Sequence, residues 1–367
     1  MFKIALRNLF QEKTRLAISV GGVAFSVTLI MVLAGLYQGW SNKIGEYIRT
    51  VPADIWVMQS GTEELFHTPS VLPLTVGDKL EEVEGVTDAK PFNARRVALS
   101  VHNHDVNLYI IAYDSGNDIG KPARVIEGKD APGPGEIIID KSQSKKVAIG
   151  DSIKVVNQEL KVVGYSEGGD LVTSSFAFAQ KAELNKIQDL PNATNFFAVQ
   201  LEPGVDAEKT ITTIKSEVSG VDAMTKQEFV DNNVKIISDT FLPVILVLLI
   251  IGVAVGIAVI GLTIFTSTIE KSKEYGVLKA IGMKNRQLYG VVIYQALIAG
   301  VVGYVIGTGL AYLLGATVGQ AVPQFVSQIR EIDLVWVFAL TLVMSMLAAY
   351  IPIRRLAHID PAEVFRA

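Results

Sequence analysis

Residues 270–286 read EKSKEYGVLKAIGMKNR and decide the fold of this 367-residue chain. The segment is polar and charge-dense, but it lies between two apolar runs, since no Asp, Glu, Lys or Arg occurs at residues 240–268 or 287–329. A helix needs roughly 20 apolar residues to cross a bilayer, and a charge at its centre costs about 2.5 to 3.5 kcal/mol. Both runs are therefore predicted to span a membrane, with the polar segment exposed on one side.

Two further uncharged runs complete the set of predicted transmembrane helices. The four helices are expected at residues 16–37, 241–269, 289–314 and 334–353. A coupling segment at 270–286 joins the second helix to the third, and an outer loop at 315–333 joins the third to the fourth. Because the third apolar run is long for one helix, a re-entrant or fifth segment in the outer loop is the alternative.

Positively charged residues indicate on which side each loop lies, because short loops rich in Lys and Arg remain in the cytoplasm. Twelve Lys or Arg residues lie in the chain start 1–15, the coupling segment and the tail 354–367, whereas the outer loop holds only Arg330. We therefore expect a multi-pass protein of the cell inner (plasma) membrane with both termini cytoplasmic. A cleaved signal peptide is the alternative for the first apolar run, which is long for such a peptide.

The first 15 residues are predicted to form a cytoplasmic amphipathic helix that contacts membrane lipid. One face carries four apolar side chains, Phe2, Leu6, Leu9 and Phe10. Basic residues occupy the other face, which is the arrangement of a helix lying in the membrane interface. An ordinary basic flank is the alternative interpretation.

Residues 38–240 are predicted to form a large extracytoplasmic domain, with 20 Lys or Arg against 30 Asp or Glu. Runs rich in β-branched residues predict strands at 54–58, 97–101, 106–111, 136–139, 153–156, 160–163 and 196–201. Apolar residues spaced three and four apart predict helices at 76–83, 207–218 and 226–237. The predicted fold class is an α-helical membrane protein with four transmembrane helices plus a large α+β extracytoplasmic domain inserted between helices 1 and 2.

The residue content excludes several kinds of chemistry. Cysteine is absent, which excludes disulfides and cysteine-ligated metals. No Gly-x-x-x-x-Gly-Lys-Ser/Thr phosphate loop occurs, so ATP would have to be bound by another polypeptide. His102 and His104 would share one face of a strand, but no third ligand lies near them in sequence, so no metal site is predicted. We expect no catalytic residues, no cofactor and, given the acidic domain, no nucleic-acid partner.

Glycine pairs four residues apart predict close helix packing, because the missing side chains let backbones approach. These candidate helix-packing residues are Gly252 with Gly256 and Gly303 with Gly307. The first pair is the favoured candidate for a dimer contact.

The chain resembles the permease subunits of the MacB/FtsX-like ABC transporters along its whole length. The resemblance is carried by FKIALRNLFQEKTR at the start, PGEIIIDKSQSKKVAIGDSIKV and LKVVGYSEG in the inserted domain, EKSKEYGVLKAIGMKNRQLYGVV at the coupling segment, and IPIRRLAHIDPAEVFRA at the end. It implies a MacB-like periplasmic core domain of two α/β lobes, here expected to divide near Pro91 and Gly168. It also implies an FtsX-like permease domain at 241–360 and a homodimer or heterodimer of permeases that works with a cytoplasmic ABC ATPase.

The resemblance assigns ATPase coupling to a short helix in the 270–286 segment. The residues that match it are Glu270, Glu274, Tyr275, Gly276, Leu278, Lys279, Ala280, Gly282 and Met283. Independently of the resemblance, Val277, Leu278 and Ile281 form a short apolar edge, and Gly282 is suited to the left-handed conformation that ends a helix.

The function implied by the resemblance is export, efflux or extraction of a hydrophobic substrate, driven by motion transmitted from the ATPase. A lipoprotein, a glycolipid, a macrolide or peptide, and haem remain candidate substrates, and a periplasmic adaptor is a further candidate partner. Candidate haem ligands at the outer membrane edge are Tyr37, Tyr47, Trp56, Met58, His67 and Glu63 or Glu64. An interfacial belt is the alternative interpretation of the aromatic residues among them. A membrane-anchored receptor or adhesion module without an ATPase is the alternative class, but it would have no use for the charged central segment.

Overall fold

The computed structural model describes residues 11–66, 69–171, 174–189, 192–322 and 325–357. The chain divides into two compact units, which we call the helical unit (Met1–Gly39 with Phe241–Ala367) and the α/β unit (Trp40–Thr240). Most of the amphipathic helix predicted at 1–15 and most of the tail lie outside the described residues, as does His67.

The described elements follow one another along the chain as helices and strands of very different lengths. The helices are α1 (Lys13–Thr50), α2 (Thr75–Glu81), α3 (Lys181–Gln188), α4 (Ala207–Glu217), α5 (Lys226–Glu270), α6 (Ser272–Ala280), α7 (Asn285–Ala321) and α8 (Glu331–Ala357). The strands are β1 (Ile55–Gln59), β2 (Leu72–Pro73), β3 (Val86–Phe92), β4 (Ala94–Val101), β5 (His104–Ala112), β6 (Arg124–Gly128), β7 (Glu136–Asp140), β8 (Ser152–Val155), β9 (Gln158–Glu167), β10 (Ser175–Ala179), β11 (Ala193–Thr194), β12 (Phe196–Leu201) and β13 (Val221–Thr225).

Within the described residues, four helices are long and apolar enough to cross a membrane: α1, α5, α7 and α8. Their packed sides form a core that includes Val27, Ile260, Val292 and Val337. Their other sides carry large exposed apolar side chains such as Leu262, which is 66% exposed. Such surfaces are stable when lipid covers them, so four membrane-spanning helices are confirmed as the core of the helical unit.

The long helices extend beyond the apolar runs that predicted them. Helix α1 continues past residue 37 to Thr50, α5 already begins at Lys226, and α7 continues past residue 314 to Ala321. Residues 315–321 of the predicted outer loop are thus helical. Hydropathy indicates which residues can lie in lipid, whereas backbone hydrogen bonding decides where a helix ends, and the two limits need not coincide.

The α/β unit contains two lobes, each built on its own sheet. The small lobe has the antiparallel sheet β13-β1-β12-β3, covered by α2 and α4. The large lobe has a seven-stranded mixed sheet, β4-β5-β10-β7-β9-β6 with β8 paired to β9, covered on one side by α3. An α+β domain inserted between the first two membrane helices is therefore confirmed.

The helix predicted at 207–218 shows why the sequence pattern works in this unit. Asp206 caps α4 by accepting hydrogen bonds from the backbone N–H groups of Glu208 and Lys209, which otherwise lack partners in a first turn. Ile211 and Ile214, three residues apart, are buried against the small-lobe sheet. The 3.6-residue period thus places both side chains on the face that packs.

The chain passes between the lobes twice, and only the first crossing agrees with the sequence interpretation. It leaves the small lobe after Phe92 and enters the large lobe at Ala94, close to the break expected near Pro91. The second break expected near Gly168 is wrong, because β10 (Ser175–Ala179) still lies at the centre of the large sheet, between β5 and β7. Strand β10 has the sequence SFAFA; its two Phe residues are common in strands, but it contains no β-branched residue.

Two turns correct further details of the prediction. His102 and Asn103 have φ of 49° and 63° and form the turn between β4 and β5, so His102 and His104 do not share a strand face. Val156 has φ of 55° and lies in the turn after β8 rather than in the strand. The described residues hold no cluster of three or more His, Asp or Glu side chains suited to a metal ion.

Candidate functional site

The coupling segment forms a short helix with a well-defined end. Helix α6 covers Ser272–Ala280, and Gly282 follows it with φ of 97°, as expected for a left-handed helix terminus. The Gly282 N–H donates to Lys279 O (3.0 Å) and the Met283 N–H donates to Leu278 O (3.0 Å). This pair of bonds is the Schellman arrangement, which satisfies the last carbonyls of a helix and stops it there.

The two faces of α6 have different surroundings. Tyr275 and Gly276 are buried, and Leu278 and Met283 pack half-buried against the core of the helical unit. On the other face, Val277 is 44% exposed and Ile281 is 74% exposed. The three residues of the predicted apolar edge therefore do not share one environment. Leu278 packs against the core of the helical unit, whereas the side chains of Val277 and Ile281 are exposed.

The remaining predicted coupling residues lie around the exposed face or anchor the helix. The exposed ones are Glu270, Glu274, Ala280 and Gly282. Lys279 is half-buried, and its Nζ donates to Leu356 O at the end of α8 (2.8 Å). Lys279 therefore ties α6 to another long helix.

An ion-pair cluster fixes the start of this segment to the start of α1. Lys271 Nζ lies 2.8 Å from Glu12 Oε1, Arg15 Nη1 lies 2.8 Å from Glu12 Oε2, and Arg15 also pairs with Glu270. Burial acts to raise the pKa of Glu12, but the hydrogen bonds from Lys271 and Arg15 outweigh it and lower that pKa below its usual value. Glu12 is therefore a stable anion between two cations.

No pattern in the amino-acid sequence predicts this cluster. Arg15 and Glu270 are 255 residues apart, and each is an unremarkable charge at the end of an apolar run. Only the packing of α1 beside α5 brings them together.

The four predicted helix-packing glycines all lie at contacts between helices of the same chain. A Cβ added at Gly256 would lie 2.2 Å from Met344 Cε of α8, and one at Gly307 would lie 2.6 Å from the Ala24 carbonyl oxygen of α1. Gly303 faces Val23, and Gly252 lies at ordinary contact distance from Leu29. The suggestion that Gly252 and Gly256 form a dimer contact is therefore corrected, because α1 and α8 already cover this face.

A third glycine pair, Gly35 and Gly39, lies in the second half of α1. A Cβ at Gly35 would meet Ser327 Oγ at 2.5 Å, and one at Gly39 would meet the Val326 carbonyl oxygen at 1.9 Å. The Gln328 N–H donates to Gly35 O (2.9 Å). The four-residue spacing of these glycines is the sequence feature that could have predicted a close contact on this side of α1, which the outer-loop residues 326–328 make.

The candidate haem ligands are mostly core side chains. Tyr47 packs on Phe176 with ring centroids 4.6 Å apart, and Trp56 stacks on Phe229 at 4.8 Å. Met58 is also fully buried. The structure therefore does not support Tyr47, Trp56 and Met58 as an accessible ligand set.

Two family models match the chain. A MacB-like periplasmic core domain matches residues 16–217, and an FtsX-like permease C-terminal domain matches residues 246–361. Because the first covers more than half of the chain, the chain belongs to the MacB/FtsX family of membrane proteins. Within that family it is an ABC transporter permease. This confirms the class that the resemblance of the sequence implied.

Individual relatives agree with this class at low identity. An uncharacterized ABC transporter permease of Mycobacterium tuberculosis is 22% identical over 100% of this chain and 99% of its own length. HrtB of Staphylococcus haemolyticus, named as a hemin transport system permease, is 20% identical over 92% and 91% of the two chains. The macrolide export ATP-binding/permease protein MacB of Wolinella succinogenes is 21% identical over 98% of this chain and 59% of its own.

Proposed function

We propose that this chain is the permease subunit that transmits ATP-driven motion from a separate cytoplasmic ATPase to its α/β unit. The observation that carries this proposal is the exposed apolar pair Val277 and Ile281 on a short, well-terminated helix between two membrane helices. Exposed apolar side chains rimmed by charges are typical of a docking surface for a partner groove. Glu274 and Lys284 supply such charges here.

The contacts of α6 give the proposed motion a physical route into the membrane helices. Lys279 holds α6 to α8, and the Glu12 cluster holds the preceding residues to α1. Movement of α6 would therefore displace α1 and α8 together with α5, to which α6 is joined after Glu270.

The far ends of α1 and α5 are anchored in different lobes of the α/β unit. Tyr47 of α1 packs on Phe176 of the large-lobe strand β10, and Lys43 Nζ lies 2.6 Å from Asp170 Oδ2. Phe229 of α5 stacks on Trp56 of the small-lobe strand β1. A displacement of α1 relative to α5 would therefore move the large lobe relative to the small lobe. We propose that ATP-driven motion changes the conformation of the α/β unit in this way.

The family and the relatives suggest the setting of this function. We infer a dimer of permeases in the inner (plasma) membrane, with both termini cytoplasmic and ATP bound by the partner subunit, so that the permease itself performs no hydrolysis. The combined ATP-binding/permease name of the Wolinella relative supports coupling to such an ATPase. Export of a hydrophobic substrate is proposed, with macrolide, haem, lipoprotein and glycolipid as candidates and an adaptor as a further possible partner.

The docking surface is tested by changing Ile281 to Asp. We expect at least a tenfold weaker capture of the cognate ATPase and a matching loss of permease-stimulated ATP hydrolysis, because a carboxylate would be placed in an apolar groove. Ile149→Asp, which changes another exposed isoleucine in the α/β unit, is the matched control. Equal ATPase stimulation by the two variants would refute the docking site.

Leu278 is a poor choice for the same experiment. Its side chain packs against the core of the helical unit, so a charged substitution would reduce both the stability of the fold and the affinity for the ATPase. Leu278→Asp therefore serves as the folding control: it should lower the thermal unfolding temperature, whereas Ile281→Asp should leave it unchanged.

A further inference from the structure

A cavity of about 460 Å³ lies in the α/β unit where the chain crosses between its lobes. Arg95 and Arg96 line it just after the first crossing, and Asn195 and Phe196 line it at the return. Its volume falls in the range of roughly 300 to 1,000 Å³ that small-molecule sites occupy. We call it the lobe cavity.

The walls of the lobe cavity are held by hydrogen bonds. Asn195 Oδ1 accepts from the Ala94 N–H (2.9 Å), and its Nδ2 donates to Ser70 O (2.9 Å). The Tyr109 hydroxyl donates to Leu65 O (2.6 Å). These bonds join the strand β4, the strand β5 and the segment before β2, so the cavity is a formed feature of the fold.

One side of the cavity is apolar. The Phe66 ring lies edge-on to Tyr109 at 5.2 Å and is only half-buried, and Val71 is 42% exposed. Both side chains line the cavity. They can cover an alkyl chain or an aromatic body and remove it from water.

The cavity also carries a positive charge, the guanidinium of Arg96, in addition to this apolar surface. Arg96 is exposed and pairs in register with Tyr109 across β4 and β5, so the two side chains share one face of the sheet. Arg95, on the other face, donates to Ile187 O. Among the described residues neither arginine forms an ion pair.

The exposed charge of Arg96 stands out in a region with 30 acidic and 20 basic residues at 38–240. The carboxylate of Glu64 is buried and accepts the Phe66 N–H. A guanidinium binds a phosphate or carboxylate through two parallel hydrogen bonds, and it does so best beside a surface that excludes water.

We propose that the lobe cavity binds an amphipathic anion, with its apolar body against Phe66 and Val71 and its acid group on Arg96. This proposal deepens the proposed function and rests on it only in taking the ligand to be the transported substrate of the permease. Binding itself requires neither the ATPase nor the α6 docking surface, so the two proposals can fail separately.

The test is calorimetric titration of the full chain in lipid nanodiscs, with empty discs subtracted. The probes are octyl phosphate, the neutral octyl glucoside with the same chain, and inorganic phosphate with the same acid group. We expect saturable binding of octyl phosphate that is at least tenfold tighter than that of the other two probes. Arg96→Gln and Val71→Ser should each weaken it about tenfold or more.

Two variants serve as matched controls. Arg49→Gln removes an exposed arginine outside the cavity and should leave octyl phosphate binding unchanged, as should the docking variant Ile281→Asp. Octyl phosphate binding that is equal in wild type and Arg96→Gln would overturn the proposal. So would equal binding of octyl glucoside, which indicates an apolar pocket only, or of inorganic phosphate, which indicates a simple anion site.

Discussion

Lys271 Nζ lies 2.8 Å from Glu12 Oε1, and this contact joins the residue that follows α5 to the residue that precedes α1. Both side chains are largely shielded, with 12% and 23% of their surface exposed. Such a pair resists separation more than a fully exposed one, because fewer waters can replace the lost partner. The ends of two membrane helices next to the coupling helix are therefore held together by charge.

The first prediction concerns the strength of this link. A double-mutant cycle with Glu12→Gln and Lys271→Met should give a coupling energy of about 1 kcal/mol in thermal or denaturant unfolding of the purified protein. Lys273→Met, which removes an exposed lysine two residues further along, in α6, should show no coupling to Glu12→Gln. A coupling indistinguishable from that of Lys273 would mean that the contact contributes nothing to stability.

A second prediction concerns pH. The pKa of Glu12 in the folded protein lies below its ordinary value of 4.5, so folding favours the anion. Its contribution to stability is therefore complete above that ordinary value and is lost as the pH falls through the lowered folded-state pKa. Unfolding temperatures measured from pH 7 down to pH 3 should fall less steeply for Glu12→Gln than for wild type; parallel curves would contradict the assignment.

The third prediction tests the close approach of α7 to α1. Gly307→Ala should destabilise the helical unit by about 1 to 3 kcal/mol, because the new Cβ would lie 2.6 Å from the Ala24 carbonyl oxygen. Gly309→Ala, two residues along the same helix, meets nothing within 4 Å and should be neutral or slightly stabilising. Unfolding in detergent measures both, and equal effects would argue against the packing described.

A fourth prediction is a stabilising substitution. Val156 is half exposed and has φ of 55°, a conformation that a β-branched side chain adopts only at a cost. Val156→Gly should relieve about 1 kcal/mol of this strain and raise the unfolding temperature of the α/β unit. Val156→Ala retains a Cβ and should recover less; a loss of stability with Gly would show that the valine side chain matters more than the turn.

The predicted and observed strands show which signals in the sequence were informative. Strands with β-branched residues, such as β5 and β12, overlap the ranges predicted for them, and so does the amphipathic helix α4. The sequence does not predict the fully buried strand β10, because it contains no β-branched residue, although its two Phe residues are common in strands. Its place at the centre of a sheet depends on β5 and β7, which are distant in the chain.

The membrane helices and the coupling segment could be predicted because hydropathy and charge are properties of consecutive residues. An uncharged apolar run is stable in lipid whatever its neighbours are, and the interrupting charges mark where the chain must leave. The contact of the coupling residues with an ATPase stays a prediction. The left-handed Gly282 was also predictable, since glycine adopts that conformation without steric cost.

Tertiary packing alone determined which side of α6 is free. Consecutive residues on a helix differ by about 100° in direction, so Val277 and Leu278 point to different surroundings although both are apolar. The helix bundle covers Leu278 and leaves Val277 and Ile281 exposed. The composition of the segment is the same in either orientation. The burial of Tyr275, the packing of Leu278, and the long-range contacts of Lys279 with α8 and Lys271 with Glu12 all favour the orientation that occurs.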